Sequence, residues 1–162
     1  MYLTSKFVVL LLLPVLFLLG CSQPPMKRVP GTEVATESGR VVGVTGDEHV
    51  IHWQDIPFAL PPEGALRWRA PQPYRNASSD IQPRESTICV QQAGAISDTD
   101  GDTFVGSEDC LYLDVVAPIS ASEQGLPVMF WIHGGGNTSG TKDTYDFSAF
   151  AHDQQVVVVT VN

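Results

Sequence analysis

Positive charge is scarce in this sequence. Nine lysines and arginines face eighteen aspartates and glutamates, for a formal net charge of −9 with histidine neutral. Nucleic acid is bound through a basic face, so this balance excludes it as a partner and fits a solvated acidic surface. Nucleotide-binding frames are missing as well. The glycines at 134–136 do not read G-x-G-x-x-G and do not open directly into a helix, and no G-x-x-x-x-G frame precedes Lys142. There are no internal repeats. What remains is ordinary for a globular chain of 162 residues: 43% hydrophobic, 17% charged, and long enough to bury a core.

The first segment is set apart from the fold. Lys6 precedes an apolar run from Phe7 to Leu19 that is interrupted by Pro14. That run is short for a membrane span and fits the apolar region of a secretory signal. It ends in Leu18-Leu19-Gly20-Cys21, which resembles the lipobox of bacterial lipoproteins. The resemblance implies a signal peptide over 1–20, acyl chains on Cys21 and a membrane surface as partner, since more than one chain is needed for stable anchoring. An ordinary cleaved signal with an incidental cysteine is the alternative. Ser22 stands where an aspartate would mark inner-membrane retention, so the expected location is the bacterial envelope, at the outer membrane of a Gram-negative cell. Residues 21–31 read as a polar, proline-rich tether. Export places Cys89 and Cys110 in an oxidising compartment, where they are expected to pair; two free buried thiols are the alternative. A bridge closing about twenty residues stabilises by roughly 3 kcal/mol in the chain-entropy model.

Residues 32–59 are expected to form short antiparallel strands, broken at Ser38-Gly39 and again at Gly46-Asp47. The segment from Leu60 to Pro73 holds too many prolines for a helix or central strand and is expected to run extended, pinned by Leu66 and Trp68. Residues 98–109 read as loop. "CLYLDVVAP", "LPVMFWIHG" and "VVVVTVN" read as strands, the last two apolar enough to be covered on both faces. "FSAFAHDQQ" reads as a short helix. Strand, glycine loop, helix and strand in that order point to an α/β sheet preceded by a small antiparallel piece.

The run His133-Gly134-Gly135-Gly136 follows an apolar strand, which places it at the carboxyl end where open α/β sheets build their sites. Without Cβ atoms, backbone N–H groups can approach a developing negative charge closely. A plain flexible turn is the alternative.

"EDCLYLDVVAP" resembles the cysteine-containing signature of type-B carboxylesterases, the family that includes the cholinesterases. "GRVVGV" and "IPFALPPEGALRWRAPQP" resemble the opening of that family, "PVMFWIHGGG" its oxyanion strand and loop, and "VVVVTVN" the strand beyond it. The pieces occur in the family's order over the domain, taken as residues 32–162. The resemblance implies the N-terminal part of an α/β-hydrolase fold, incomplete, with antiparallel strands leading into a mixed central sheet. It implies acyl-enzyme chemistry on a carboxylic-ester substrate, with no cofactor and no metal. The oxyanion donors would be the N–H groups of Gly135 and Gly136, with a third following the nucleophile. Cys89 and Cys110 match the family's first disulfide. Two positions depart from the pattern: Asp55 replaces a glycine before "IPFA", and Asn137 replaces an aromatic residue after the glycines.

A serine hydrolase of this kind places its nucleophile on a G-x-S-x-G elbow, followed by an acid and a histidine. The 162 residues contain no such elbow. In Gly136-Asn137-Thr138-Ser139-Gly140 the serine comes one place late, inside the oxyanion loop itself. His133 is expected to shape the loop, and His49, His52 and His152 to be structural or on the surface. The expectation is an N-terminal portion that does not turn over esters alone; the alternative is a non-catalytic surface lipoprotein or gene remnant of the same family. Asp98, Asp100 and Asp102 imitate a calcium loop but lack its glycine at the sixth position and its glutamate at the twelfth. Asn76-Ala77-Ser78 is formally a glycosylation sequon, of little use to a bacterial lipoprotein.

Overall fold

The computed structural model describes residues 26–46, 49–93, 103–120 and 125–162. The signal segment with Cys21, most of the tether, and Asp98, Asp100 and Asp102 lie outside the described residues.

Successive side chains of a strand face opposite sides, and the apolar runs of this chain use that alternation to build one sheet. In chain order the strands are Lys27–Arg28 (β1), Val34–Thr36 (β2), Gly39–Val41 (β3), Val44–Thr45 (β4), Val50–Pro57 (β5), Gln91–Gln92 (β6), Phe104–Val105 (β7), Tyr112–Pro118 (β8), Val128–Ile132 (β9) and Val157–Val161 (β10). Six of them form a mixed sheet in the order β1-β4-β5-β8-β10-β9. Every pair is antiparallel except β10 and β9. A parallel pair needs a crossover, and the helix Ser148–Gln154 (α1) supplies it. β2 and β3 form a separate hairpin around Glu37-Ser38, as the Ser38-Gly39 break predicts. Within the segment read as loop, Phe104–Val105 pairs with β6.

The core lies between the sheet and α1. Val50, Val116 and Val158 meet Ala151 of the helix, with Met129, Phe147 and Val156 packed around them. Trp131 extends this layer, its ring edge-on to Tyr145 and Phe147 at centroid distances of 5.5 and 5.2 Å. α1 starts where the Asp146 carboxylate accepts the Ser148 N–H, and it ends at Gln155 in the left-handed conformation.

The opposite face is unevenly covered, and here two expectations are corrected. Near β5, Trp53 Nε1 donates to the Thr32 carbonyl, and Ile51 and Thr32 both close on Gly43. Over β9 and β10 no described residue forms a second layer. Val128, Phe130 and Ile132 are 64%, 58% and 71% exposed, so β9 is covered on one face only, and Val157, Val159 and Val161 of β10 are half-buried. The pinning of the proline-rich segment also differs. Trp68 is 99% exposed with φ +58, so it pins nothing. The segment is closed instead by the Leu60 N–H bonding the Gln72 carbonyl, the bridge between Ala59 and Pro73, and the Arg67–Glu108 ion pair.

A buried charge cluster ties three chain segments together. Lys142, only 4% exposed, places Nζ 2.7 Å from Asp114 of β8, 2.8 Å from Asp143 and 3.1 Å from Asp55 of β5. Asp55 sits at an irregularity in the β5–β8 register with φ +57, where its N–H bonds Asp114 and its carboxylate accepts the Arg84 N–H. Burial lowers the lysine's affinity for its proton, but the Asp114 charge and the hydrogen bonds to Asp114 and Asp143 outweigh it and raise the Lys142 pKa. For Asp114, burial wins over the shared lysine and pushes the carboxyl up to about 6. A raised acid pKa favours the native state most below the unfolded value near 3.8, and that contribution is lost as pH rises through about 6. Lys142→Met leaves buried carboxylates without their cation and is expected to cost about 3–5 kcal/mol at pH 7. The urea midpoint measures it. The deficit should shrink towards pH 5 as Asp114 takes up its proton; an equal loss at both pH values would assign the effect to packing.

Candidate active site

The glycine loop begins as β9 ends, and its geometry follows from glycines at two positions. Gly135 has φ +113, and a Cβ there would lie 1.9 Å from the Ser139 carbonyl oxygen. Gly140 has φ +128, and a Cβ there would meet His133 Nδ1 at 2.1 Å and the Gly134 oxygen at 2.6 Å. The loop therefore folds back on its own origin, with Gly140 seated against the end of the strand. Inside it the Gly135 carbonyl accepts hydrogen bonds from the Thr138 and Ser139 N–H groups at 3.0 and 3.2 Å. The Thr138 hydroxyl donates to the same oxygen at 3.0 Å.

The donors are arranged the other way. Among the described residues, the N–H groups of Gly134, Gly135, Gly136 and Asn137 donate to no protein acceptor, and all four residues are exposed. Unpaired amides at the carboxyl end of a sheet strand form a site for an anionic oxygen. Asn137 has φ +60, a left-handed conformation that asparagine tolerates better than most side chains.

The loop's exit is held from behind by residues that the sequence reading did not single out. Gln91, in β6, accepts the Gly140 N–H on Oε1 at 2.6 Å and donates Nε2 to the Gly140 carbonyl at 2.9 Å. Asn162 accepts the Lys142 N–H on Oδ1 at 2.7 Å and donates Nδ2 to the Thr87 and Cys110 carbonyls at 2.7 and 3.0 Å. Gln91 reaches out from the hairpin closed by the Cys89–Cys110 disulfide, and Asn162 reaches back to it at Cys110; the Cα atoms of the bridge are 5.0 Å apart. The pairing expected of those cysteines is thus formed. Asn162, a polar side chain ending a valine-rich strand, and Asp114, a lone acid within an apolar one, stand out in the sequence, but neither shows its partner and nothing local marks Gln91.

The histidines and serines do not assemble a nucleophile. His133 Nδ1 lies 2.8 Å from the Gly134 carbonyl, as a loop-shaping residue would. Ser139 Oγ is 3.5 Å from the Gly135 carbonyl, and no hydrogen bond joins it to a histidine among the described residues. The His49 and His152 rings lie against each other, their centroids 4.7 Å apart and their planes tilted by 41°. His52, Ser148 and Asp146 do come together: Ser148 Oγ is 3.2 Å from His52 Nε2 and donates to Asp146 Oδ1 at 2.5 Å. Catalysis of this type needs the histidine between serine and acid, and here the serine is in the middle. The hydrogen bond from its hydroxyl, with that from its N–H, holds the Asp146 carboxyl below its usual range. A cavity of about 490 Å³ lies beside this trio, lined also by Asp114, Lys142, Tyr145 and Phe147, and none of the residues Gly134–Asn137 reaches it.

A model of the carboxylesterase family matches residues 30–162. The chain is 42% identical to a fumonisin B1 esterase of Sphingopyxis macrogoltabida over 153 residues, covering 90% of this chain and 27% of that protein. It is 40% identical to a para-nitrobenzyl esterase of Bacillus subtilis over 133 residues, covering 80% of this chain and 27% of that protein. A solved PNB esterase superposes with a TM-score of 0.71 at 37% identity, covering 81% of this chain and 27% of its own. The chain thus spans about a quarter of the length of these relatives. A matching family model, an α/β sheet of the same shape and a loop of unpaired amides lead to one conclusion: this chain belongs to the carboxylesterase family.

Proposed function

We propose that this chain is the N-terminal part of a serine carboxylic-ester hydrolase and supplies its oxyanion hole through the N–H groups of Gly135 and Gly136. The observation that carries the reading is the set of unpaired amides from Gly134 to Asn137 at the end of β9. Serine attack on an ester carbonyl moves charge onto the carbonyl oxygen. Amides already fixed around that oxygen stabilise it without reorganising, and losing one such donor costs about a hundred- to a thousandfold in rate. A third donor follows the nucleophile itself. The names of the relatives, esterases of fumonisin B1 and of para-nitrobenzyl substrates, support an ester as the substrate class.

The 162 residues hold no G-x-S-x-G elbow, so the polypeptide alone does not turn over esters. A fluorophosphonate serine probe should leave the purified chain unlabelled, and an adduct on Ser139 or Ser148 would refute that. In the source cells, the same probe should label a larger polypeptide whose digest contains peptides from residues 32–162. Finding those peptides only in unlabelled protein would remove the catalytic reading.

Anchoring through acylated Cys21 at the cell envelope belongs to the same proposal. Cys21→Ala is expected to move the protein from the membrane pellet to the soluble fraction, and unchanged pelleting would count against lipidation.

A further inference from the structure

We infer that Gln91 is a positioning residue of the glycine loop: by gripping both polar groups of Gly140, it sets the direction in which the Gly135 and Gly136 amides point. The functional meaning rests on the esterase reading above, while the geometry stands by itself. Gln91 is 5% exposed, and all its hydrogen-bonding ends are engaged by backbone. Oε1 accepts the Gly140 N–H at 2.6 Å, and Nε2 donates to the Gly140 carbonyl at 2.9 Å and to the Cys89 carbonyl at 3.0 Å. The side chain thus bridges the loop to the disulfide hairpin much as one more strand pairing would.

Gripping Gly140 holds both ends of the loop. The close approach of Gly140 to His133 and Gly134 leaves no room for a Cβ, so a shift of Gly140 moves the start of the loop as well. Between these ends, Gly135 is fixed by its carbonyl through the Thr138 and Ser139 N–H groups. Turning that carbonyl turns the neighbouring Gly136 amide, because one rigid peptide plane contains both. No atom of Gln91 remains to serve an anion. The position also selects against its near relatives: an ionised carboxylate would face two carbonyl oxygens, and an apolar chain would leave the Gly140 N–H unpaired.

Two substitutions in the 162-residue chain, followed by nitrogen–proton NMR and amide exchange, test the inference. Gln91→Met keeps the volume and loses the hydrogen bonds. Exchange of the Gly140 amide should quicken about tenfold, and the Gly135 and Gly136 amide signals should move, with protection of β5, β8 and β10 unchanged. While its carboxyl is protonated, Gln91→Glu keeps an acceptor for the Gly140 N–H and one donor for the Gly140 carbonyl, and gives up only the bond to the Cys89 carbonyl. It should give native loop signals near pH 5 and signals like those of Gln91→Met near pH 8. The wild-type chain over the same range supplies the contribution of His133, the titratable group beside Gly140.

Wild-type exchange and signals in Gln91→Met would overturn the proposal. Should that variant lose protection throughout the sheet, Gln91→Glu decides alone. A loop whose signals do not change with pH beyond the wild type overturns the proposal, and recovery at low pH sustains it. Failure of fluorophosphonate labelling in source cells would remove the esterase reading and leave this loop result standing.

Discussion

On the proposed reading, an amide that is to hold a transient anion must be fixed in direction and yet bonded to nothing, and the structure around the glycine loop meets that constraint. Hydrogen bonds are the usual means of fixing an amide, so the loop is fixed through everything else. The Gly135 carbonyl is the acceptor for the turn, while the N–H groups of Gly134–Asn137 remain unpaired among the described residues. Beyond the glycines, Gln91 grips Gly140, Asn162 holds the Lys142 backbone, and three carboxylates receive the Lys142 ammonium. The disulfide hairpin, the irregular stretch of β5 and the middle of β8 all converge on residues 140–142.

The two faces of the sheet tell a second part of the story. α1 and the cluster of Trp131, Tyr145 and Phe147 cover one face, whereas Val128, Phe130 and Ile132 project from the other without a described partner. An apolar face of that kind, on an edge strand, invites association. On the proposed reading, the remainder of a carboxylesterase four times this length supplies the covering layer. β10 is not itself the open edge. β10 lies between β8 and β9, because the crossover through α1 returns the chain inside rather than outside the preceding strand.

Much of this was legible in the sequence because local chemistry dictated it. The break at Ser38-Gly39, the strands of 112–118 and 157–161, the helix over 148–154 and the glycine loop all follow from turn residues and apolar runs. Asp55 and Asn137, the two departures from the family pattern, both adopt positive φ, a conformation these residue types accept more readily than most non-glycine residues. What could not be read were features that depend on partners distant in sequence. Nothing local shows that Lys142 will be buried against Asp55 and Asp114, or that Gln91 and Asn162 will turn their carboxamides onto residues 140 and 142. Trp68 misled for the opposite reason: its size argued for burial, but it stands in solvent at a residue of positive φ.

The most direct measurement is a crystal structure of the fluorophosphonate adduct of the larger esterase in which this segment is proposed to lie. The account requires the phosphonyl oxygen to lie about 2.7–3.1 Å from the nitrogens of Gly135 and Gly136, the distance at which an oxyanion is held. An adduct whose oxygen points away from both amides, with the loop otherwise as described, would contradict the account.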